Sequence, residues 1–206
     1  MKTKSIVLLS GGIDSATALF WSKNKGYDTY ALTFEYGNSN KNEIKAAKKL
    51  VKLSKAKKHI ILDVNFLNEI QDLKPKYLLK KFPVTYIPSR NTIFFGIASH
   101  YAEIVGANYI VTGHSSIDPF PDSKPKYVKA INDALKYGSW LGRKYKTKIK
   151  MPLAKLDKIG IVRLAMKLKV PLELTWSCYE NGKVACGKCN GCVSRLDTFK
   201  KNGVIL

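Results

Sequence analysis

Six consecutive residues, Ser10-Gly11-Gly12-Ile13-Asp14-Ser15, gather two glycines, two hydroxyls and a carboxylate at one point of the chain. An apolar run over 6–9 precedes them and an apolar-periodic segment over 16–21 follows. The order is strand, glycine-rich turn, helix. Adjacent glycines let the backbone approach a ligand closely and take positive φ without a steric cost. The N–H groups of the turn and of the first helical turn then face one point, where the helix dipole favours an anion. Ser10 and Ser15 add hydroxyl donors. Asp14 is poorly suited to touch phosphate and better suited to cap the helix or hold a magnesium ion. The chemistry indicated is the binding of a phosphate chain. No Gly-Lys-Ser/Thr follows, so this is not the common P-loop. A turn without a ligand would need neither the serines nor the aspartate.

The second concentration of chemistry lies near the C-terminus. All four cysteines, Cys178, Cys186, Cys189 and Cys192, fall within fifteen residues, spaced C-x7-C-x2-C-x2-C. With no cysteine elsewhere, the pattern does not suggest disulfides in a cytoplasmic chain. Four thiolates on tight turns suit a tetrahedral zinc ion at about 2.3 Å per Zn–S bond. An iron–sulfur cluster is the competing occupant. Nothing else in the chain suggests redox chemistry, which favours zinc. Four sulfur ligands leave no open position, so the ion would be structural. It would pin the C-terminal segment against the rest of the protein.

Alternating elements have to position these groups. Strands are expected over 5–10, 29–34, 59–64 and 109–112. Helices are expected over 14–24, 43–53, 91–105 and 156–168, with Asp157 near the start of the last. Pro75, Pro83 and Pro88 break the stretch between the third strand and the third helix into loops. Such succession predicts an α/β fold: a doubly wound, mostly parallel sheet of Rossmann-like type with helices on both faces. Ligands of such sheets bind beyond the carboxyl ends of the strands. The 10–15 loop, Tyr36-Gly37, Arg90-Asn91 and the 113–122 stretch all fall at such ends. The expected division is an α/β domain over 1–170 and a small C-terminal zinc-binding segment over 171–206.

The chain has 206 residues, 45% of them hydrophobic, which is ordinary for a domain with a real core. No apolar run is long enough for a membrane span, and residues 1–4 lead straight into a strand without a signal-peptide pattern. A cytoplasmic protein is the expectation. The formal net charge is +21, but 32 of the 36 basic residues are Lys. Arg90, Arg143, Arg163 and Arg195 are scattered, whereas specific phosphate and base recognition prefers the planar fork of Arg. The charge thus divides between a compositional preference for Lys and attraction for polyanions. Direct contact with nucleic acid is compatible with it but not required.

The 10–15 loop resembles the SGGxDS signature of the ATP pyrophosphatase superfamily, of adenine nucleotide alpha hydrolase type. With the cysteine cluster, the chain resembles the 7-cyano-7-deazaguanine synthases of the queuosine and archaeosine pathway. The matching pieces run from end to end: the 10–15 loop; Tyr36-Gly37 followed by Glu43; Pro88-Ser89-Arg90-Asn91; Phe120-Pro121-Asp122; Pro152-Leu153 with Lys158; Thr175-Trp176-Ser177-Cys178-Tyr179; and the stretch from Cys186-Gly187 through Cys192 to Arg195. The sequence departs from the family pattern at Asn38, Ser39 and Asn40, at His114-Ser115, and at Ser123-Lys124. These positions lie in loops on the expected substrate side.

The resemblance implies an ATP-dependent C–N ligase. Its substrates are 7-carboxy-7-deazaguanine, ammonia and ATP; its cofactors are structural zinc and magnesium. Adenylation of the carboxylate gives a good leaving group, ammonia gives an amide, and a second adenylation permits dehydration to the nitrile. The implied nucleotide-binding set runs from Leu9 and Ser10 through Gly11, Gly12, Ile13, Asp14 and Ser15 to Ala16, Thr17, Ala18 and Leu19. The implied catalytic set is Ser10, Asp14, Ser15, Lys158 and Arg90. Lys158 would neutralise phosphate charge, or be one more surface lysine. Arg90 and Asn91 would bind substrate or phosphate, or simply start a helix. Asp122 would accept from the guanine-like edge, or cap a loop. Trp176 and Tyr179 would stack on the base, or pack around zinc. His114 is too isolated for a catalytic base and suits orienting a loop; His59 and His100 read as structural. The resemblance is also compatible with a homodimer. The rivals are a tRNA-modifying ATP pyrophosphatase that adenylates and thiolates a base, an enzyme coupling the deazaguanine carboxylate to a macromolecular amine, and a nucleotide sensor without catalysis.

Overall fold

The computed structural model describes residues 2–36, 41–67, 86–115, 117–140, 144, 146–180 and 182–204. The sequence readings at Gly37, at Asn38 to Asn40, and at Pro75 and Pro83 lie outside these residues. Strand β1 (Lys4–Leu8), helix α1 (Ile13–Asn24), strand β2 (Asp28–Glu35), helix α2 (Lys41–Ser54) and strand β3 (Lys58–Asp63) alternate first. Helix α3 (Arg90–Val105), strand β4 (Tyr109–Val111), helix α4 (Pro125–Gly138), strand β5 (Lys148–Lys150), helix α5 (Lys158–Lys167) and helix α6 (Asn190–Lys201) follow. Short 3₁₀ turns stand at Pro121–Ser123 and Leu172–Leu174.

The five strands form one sheet in the order β3-β2-β1-β4-β5, every neighbouring pair parallel. Ile6 of β1 lies opposite Tyr30 of β2 on one side and Ile110 of β4 on the other. Successive side chains of a strand point to opposite faces. Accordingly Val7, Ala31 and Val111 enter a core with Leu19, Leu50, Val162 and Phe199, from α1, α2, α5 and α6. Their neighbours Ile6, Leu32 and Ile110 enter a second core with Phe95, Ala98 and Val128, from α3 and α4. The sheet is therefore doubly wound, as the βαβ succession predicts. Each fully buried Ile, Leu or Phe contributes roughly 1.5–3 kcal/mol, and both faces of β1 are closed to water at Ile6 and Val7.

The strand order places β1 between β2 and β4, which the chain reaches in opposite directions. That is the switch point where ligands of such sheets bind, and the 10–15 loop leaves β1 there. Most expected elements lie within two residues of their observed limits. Helices α4 and α6 and strand β5 go beyond the sequence reading. Strand β5 is only Lys148-Ile149-Lys150, too short for a pattern, with both lysines exposed. Lysines on an edge strand discourage pairing with another chain.

Candidate active site

The two glycine contacts that fix the loop are steric. Gly11 has φ of +97°, and a Cβ there would stand 2.2 Å from the carbonyl oxygen of Glu43 in the first turn of α2. Gly113, just after β4, has no room either: its Cβ would come within 2.8 Å of the Asp14 and Ser15 backbone. The loop is thus clamped between the start of α2 and the end of β4. Its hydroxyls turn inward. Ser15 Oγ accepts from the Ser10 N–H at 3.1 Å and donates to the Gly12 carbonyl at 3.1 Å, with Ser10 Oγ 3.0 Å away. Helix α1 has no side-chain cap, so its first N–H groups stay available for an anion.

Of the residues the resemblance implies for nucleotide, Ser10, Gly12, Ile13, Asp14 and Ser15 line a cavity of about 280 Å³. Leu9, Ala16, Ala18 and Leu19 are buried in the core behind it. Thr17 is buried too and gives its hydroxyl to the Ile13 carbonyl at 2.7 Å. They hold the loop from below. Asp14 does not cap the helix. Its Oδ2 forms an ion pair with Lys158 Nζ at the start of α5. That α5 start is fixed by Asp157, whose carboxylate accepts from the Gly160 N–H at 2.8 Å. Burial pushes the Asp14 carboxyl above its ordinary range, and Lys158 pulls it back. Its Oδ1 is buried and takes no partner among the described residues.

Glu43 lines the same cavity. Burial raises its pKa to about 7, against a downward pull from Arg90. Sequence reasoning noted Glu43 only as part of a matching motif. Its signal was there, an acidic residue in the first turn of a helix otherwise rich in lysine.

Arg90, Asn91 and Asp122 do not line this cavity. They form a neighbouring group at the start of α3. Ser89, in the left-handed region at φ of +53°, turns the chain into the helix. The Arg90 guanidinium donates to the Tyr36 hydroxyl at 3.2 Å and sits 5.9 and 5.8 Å from the Tyr36 and Phe120 ring centres. Asp122 accepts from the Asn91 backbone N–H and from Asn91 Nδ2, both at 3.0 Å. Asp122 thus ties the 3₁₀ turn to the first turn of α3. His114 bonds Thr112 Oγ1 at 3.1 Å, and burial lowers its pKa. His59 meets the Thr33 hydroxyl at 2.8 Å inside the sheet.

The far wall of the cavity comes from the cysteine segment: Trp176, Ser177, Tyr179, Gly191 and Arg195 all reach it. Trp176 spends its indole N–H on the Cys178 carbonyl at 2.9 Å. Arg195 anchors the segment by donating to Thr175 Oγ1 at 2.6 Å and to the Leu172 carbonyl at 2.7 Å. Its guanidinium also lies 4.5 Å from the Phe199 ring centre.

The sulfurs of Cys178, Cys186, Cys189 and Cys192 all lie within 4.8 Å of one another, and none forms a disulfide. A tetrahedron with arms of about 2.3 Å has edges of about 3.8 Å. The Cys186–Cys192 and Cys178–Cys189 sulfurs are 3.9 and 4.0 Å apart. Backbone N–H groups of Glu180 and Cys186 point at Cys178 Sγ at 3.4 and 3.3 Å, as thiolates require. The Tyr179 and Cys192 N–H groups pull the Cys189 thiol down to about 6. The quartet fits a zinc ion.

Known proteins place this arrangement. The family model described as "Queuosine biosynthesis protein QueC" matches residues 4–203. A 7-cyano-7-deazaguanine synthase of Thermoplasma volcanium is 40% identical over 98% of this chain and 89% of its own length. One of Acetivibrio thermocellus is 40% identical over 98% of this chain and 95% of its own. Among solved structures, an NMN synthetase from Francisella tularensis has a TM-score of 0.57 at 17% identity, covering 100% of this chain and 79% of its own. A 4-thiouridine synthetase solved with RNA and bound ATP has a TM-score of 0.60 at 21% identity, covering 97% of this chain and 50% of its own. The last two are likenesses of fold. The family match over nearly the whole chain and the identity of about 40% to these relatives show that the chain belongs to the QueC family.

Proposed function

We propose that the protein is an ATP-dependent ligase that converts 7-carboxy-7-deazaguanine and ammonia into 7-cyano-7-deazaguanine. The observation that carries this reading is one cavity lined by the 10–15 loop, Lys158 and the cysteine segment of a QueC-family chain. ATP lays its phosphates on the N–H groups of the loop and of α1. Lys158 offsets charge at the α-phosphate while the substrate carboxylate attacks it, and pyrophosphate leaves. Ammonia displaces AMP to give the amide. The amide oxygen is adenylated in turn, and loss of AMP and protons gives the nitrile. Close packing of the loop at Gly11 and Gly113 would keep the donors in place through both rounds.

A magnesium ion fits beside Asp14, whose buried Oδ1 has no partner among the described residues. Bound there it would neutralise pyrophosphate charge. Asp14, Lys158 and the loop are the residues we assign to the nucleotide. Arg90, Asn91, Asp122 and Trp176 remain our assignment for the deazaguanine, with Asp122 also bracing α3. ATP as co-substrate supports a cytoplasmic location, and no described helix is long and apolar enough to cross a membrane. All four cysteines of the chain gather in one quartet, which leaves none to carry sulfur and speaks against base thiolation. The test is to supply carboxylate, ammonia and ATP and to follow nitrile by mass spectrometry. ATP turnover without nitrile would favour a different acceptor.

A further inference from the structure

Two carboxylates line the cavity, and only one of them is occupied. Asp14 is paired with Lys158. Glu43 takes no hydrogen bond and no ion pair among the described residues, yet it is half-buried at the cavity wall. Its carbonyl lies close against Gly11, where an added Cβ would stand 2.2 Å from the oxygen.

The reaction read above has a need that none of the assigned residues meets. Ammonia enters with three N–H bonds, and the nitrile nitrogen has none. One proton leaves when the ammonia adduct expels AMP to give the amide. Two more leave when the adenylated amide expels AMP to give the C≡N bond. Each departure must hand a proton to a base while the C–O bond to AMP breaks and its electrons go to the phosphate. Lys158 is paired with Asp14 and already assigned to the phosphate, and half-buried His114 bonds Thr112 and does not line the cavity.

We propose that Glu43 is the general base of both AMP-expelling steps, amination to the amide and dehydration to the nitrile, its carboxylate taking protons from the nitrogen and passing them to water at the cavity mouth. This rests on the function proposed above. The cavity that Glu43 lines is open to water, since Ser10 and Tyr179 line it too and are exposed. A carboxylate near its ordinary value would be too weak a base for this work. Burial lifts Glu43 to about 7, where it is both ionised and basic near neutral pH. The charged and titratable groups sharing its surroundings are Arg90 from α3, Asp14 from α1, Lys158 from α5, and Tyr179 and Arg195 from the cysteine segment.

The test compares the full-length protein with its Glu43→Gln and Glu43→Asp variants by two assays. One follows carboxylate-dependent exchange of labelled pyrophosphate into ATP, which reports adenylation alone. The other follows nitrile formation as a function of pH. The expected result for Glu43→Gln is exchange within about threefold of the unaltered protein, nitrile formation lower by about 100-fold or more, and loss of the limb of kcat/KM near pH 7. Glu43→Asp restores part of the rate and the limb. Unchanged nitrile formation in Glu43→Gln, with the limb in place, would overturn the proposal. So would parallel loss of exchange and nitrile that Glu43→Asp does not repair. Absence of nitrile from the unaltered protein would instead overturn the functional reading on which the proposal stands.

Discussion

The backbone N–H of Trp176 donates to the carbonyl of Gly11 at 3.0 Å. This one bond docks the cysteine segment on the glycine loop, 165 positions earlier in the chain by the two residue numbers. A second tie joins α2 to the segment, where Asn42 Nδ2 donates to the Gly182 carbonyl at 2.7 Å. A zinc ion held by the quartet would therefore be coupled to the cavity we assign to the nucleotide, although four sulfur ligands would leave it no catalytic position.

Removal of that ion should weaken nucleotide binding before it unfolds the sheet. Cys186→Ser, or a strong chelator, is expected to lower bound zinc and to raise the Kd for ATP by about tenfold or more. Far-ultraviolet circular dichroism should retain most of its signal, because the two core clusters are built mainly from the sheet and its helices. Metal analysis and calorimetric titration check this; ATP affinity that ignores zinc content would refute the coupling.

Gly11→Ala should be severe and Gly96→Ala harmless. The first forces positive φ on a residue whose Cβ would stand 2.2 Å from a carbonyl oxygen. A cost on the order of 2–4 kcal/mol is expected, with loss of ATP binding. Gly96 lies within α3 with nothing within 4 Å of an added Cβ. Alanine there should stabilise by about 0.5–1 kcal/mol through helix propensity. Denaturant titration of both variants measures the contrast.

Lys158→Ala removes the partner of a carboxyl that burial already pushes upward. Pyrophosphate exchange should fall by about 100-fold. Combined with Asp14→Asn, the losses should be markedly less than additive, because the two groups act as a pair. Additive losses would mean that they work independently.

Glu43 should oppose folding at alkaline pH. Its folded pKa, about 7, lies above the ordinary 4.5, so the folded state binds its proton more tightly than the unfolded chain. The stabilisation from that proton is fully present below the unfolded value and is lost as pH rises through about 7. Glu43→Gln should therefore raise stability at pH 8, by on the order of 2–3 kcal/mol, and leave it nearly unchanged at pH 4. Thermal melts at the two pH values decide it. A functional group that lowers stability is the usual compromise of an active site.

Much of this was legible in the sequence, for reasons that differ from part to part. The glycine loop is local chemistry: strand, loop and helix start are contiguous, so their joint meaning needs no tertiary information. The cysteine quartet is equally compact. Strands such as 5–10 are read from continuous burial on both faces, which a parallel sheet demands. The pairing of Lys158 with Asp14 crosses 144 positions and is visible only in the folded chain. The same holds for Asp122 bound to Asn91, and for Arg195 spending its guanidinium on Thr175 and Leu172. Glu43 was hidden for another reason. Its character comes from burial beside the loop, and nothing in a Lys-rich helix announces burial of its first acid. Strand β5 escaped because three residues with one apolar side chain carry no period.

The most direct measurement of the central claim uses 7-carboxy-7-deazaguanine labelled with ¹⁸O in both carboxylate oxygens, incubated with the protein, ammonia and ATP. Two successive adenylations predict that each nitrile formed is accompanied by two AMP molecules, each carrying one ¹⁸O, with pyrophosphate unlabelled. Label in pyrophosphate or inorganic phosphate, or AMP free of label, would show that the nucleotide at the glycine loop does not transfer its adenylyl group to the carboxylate.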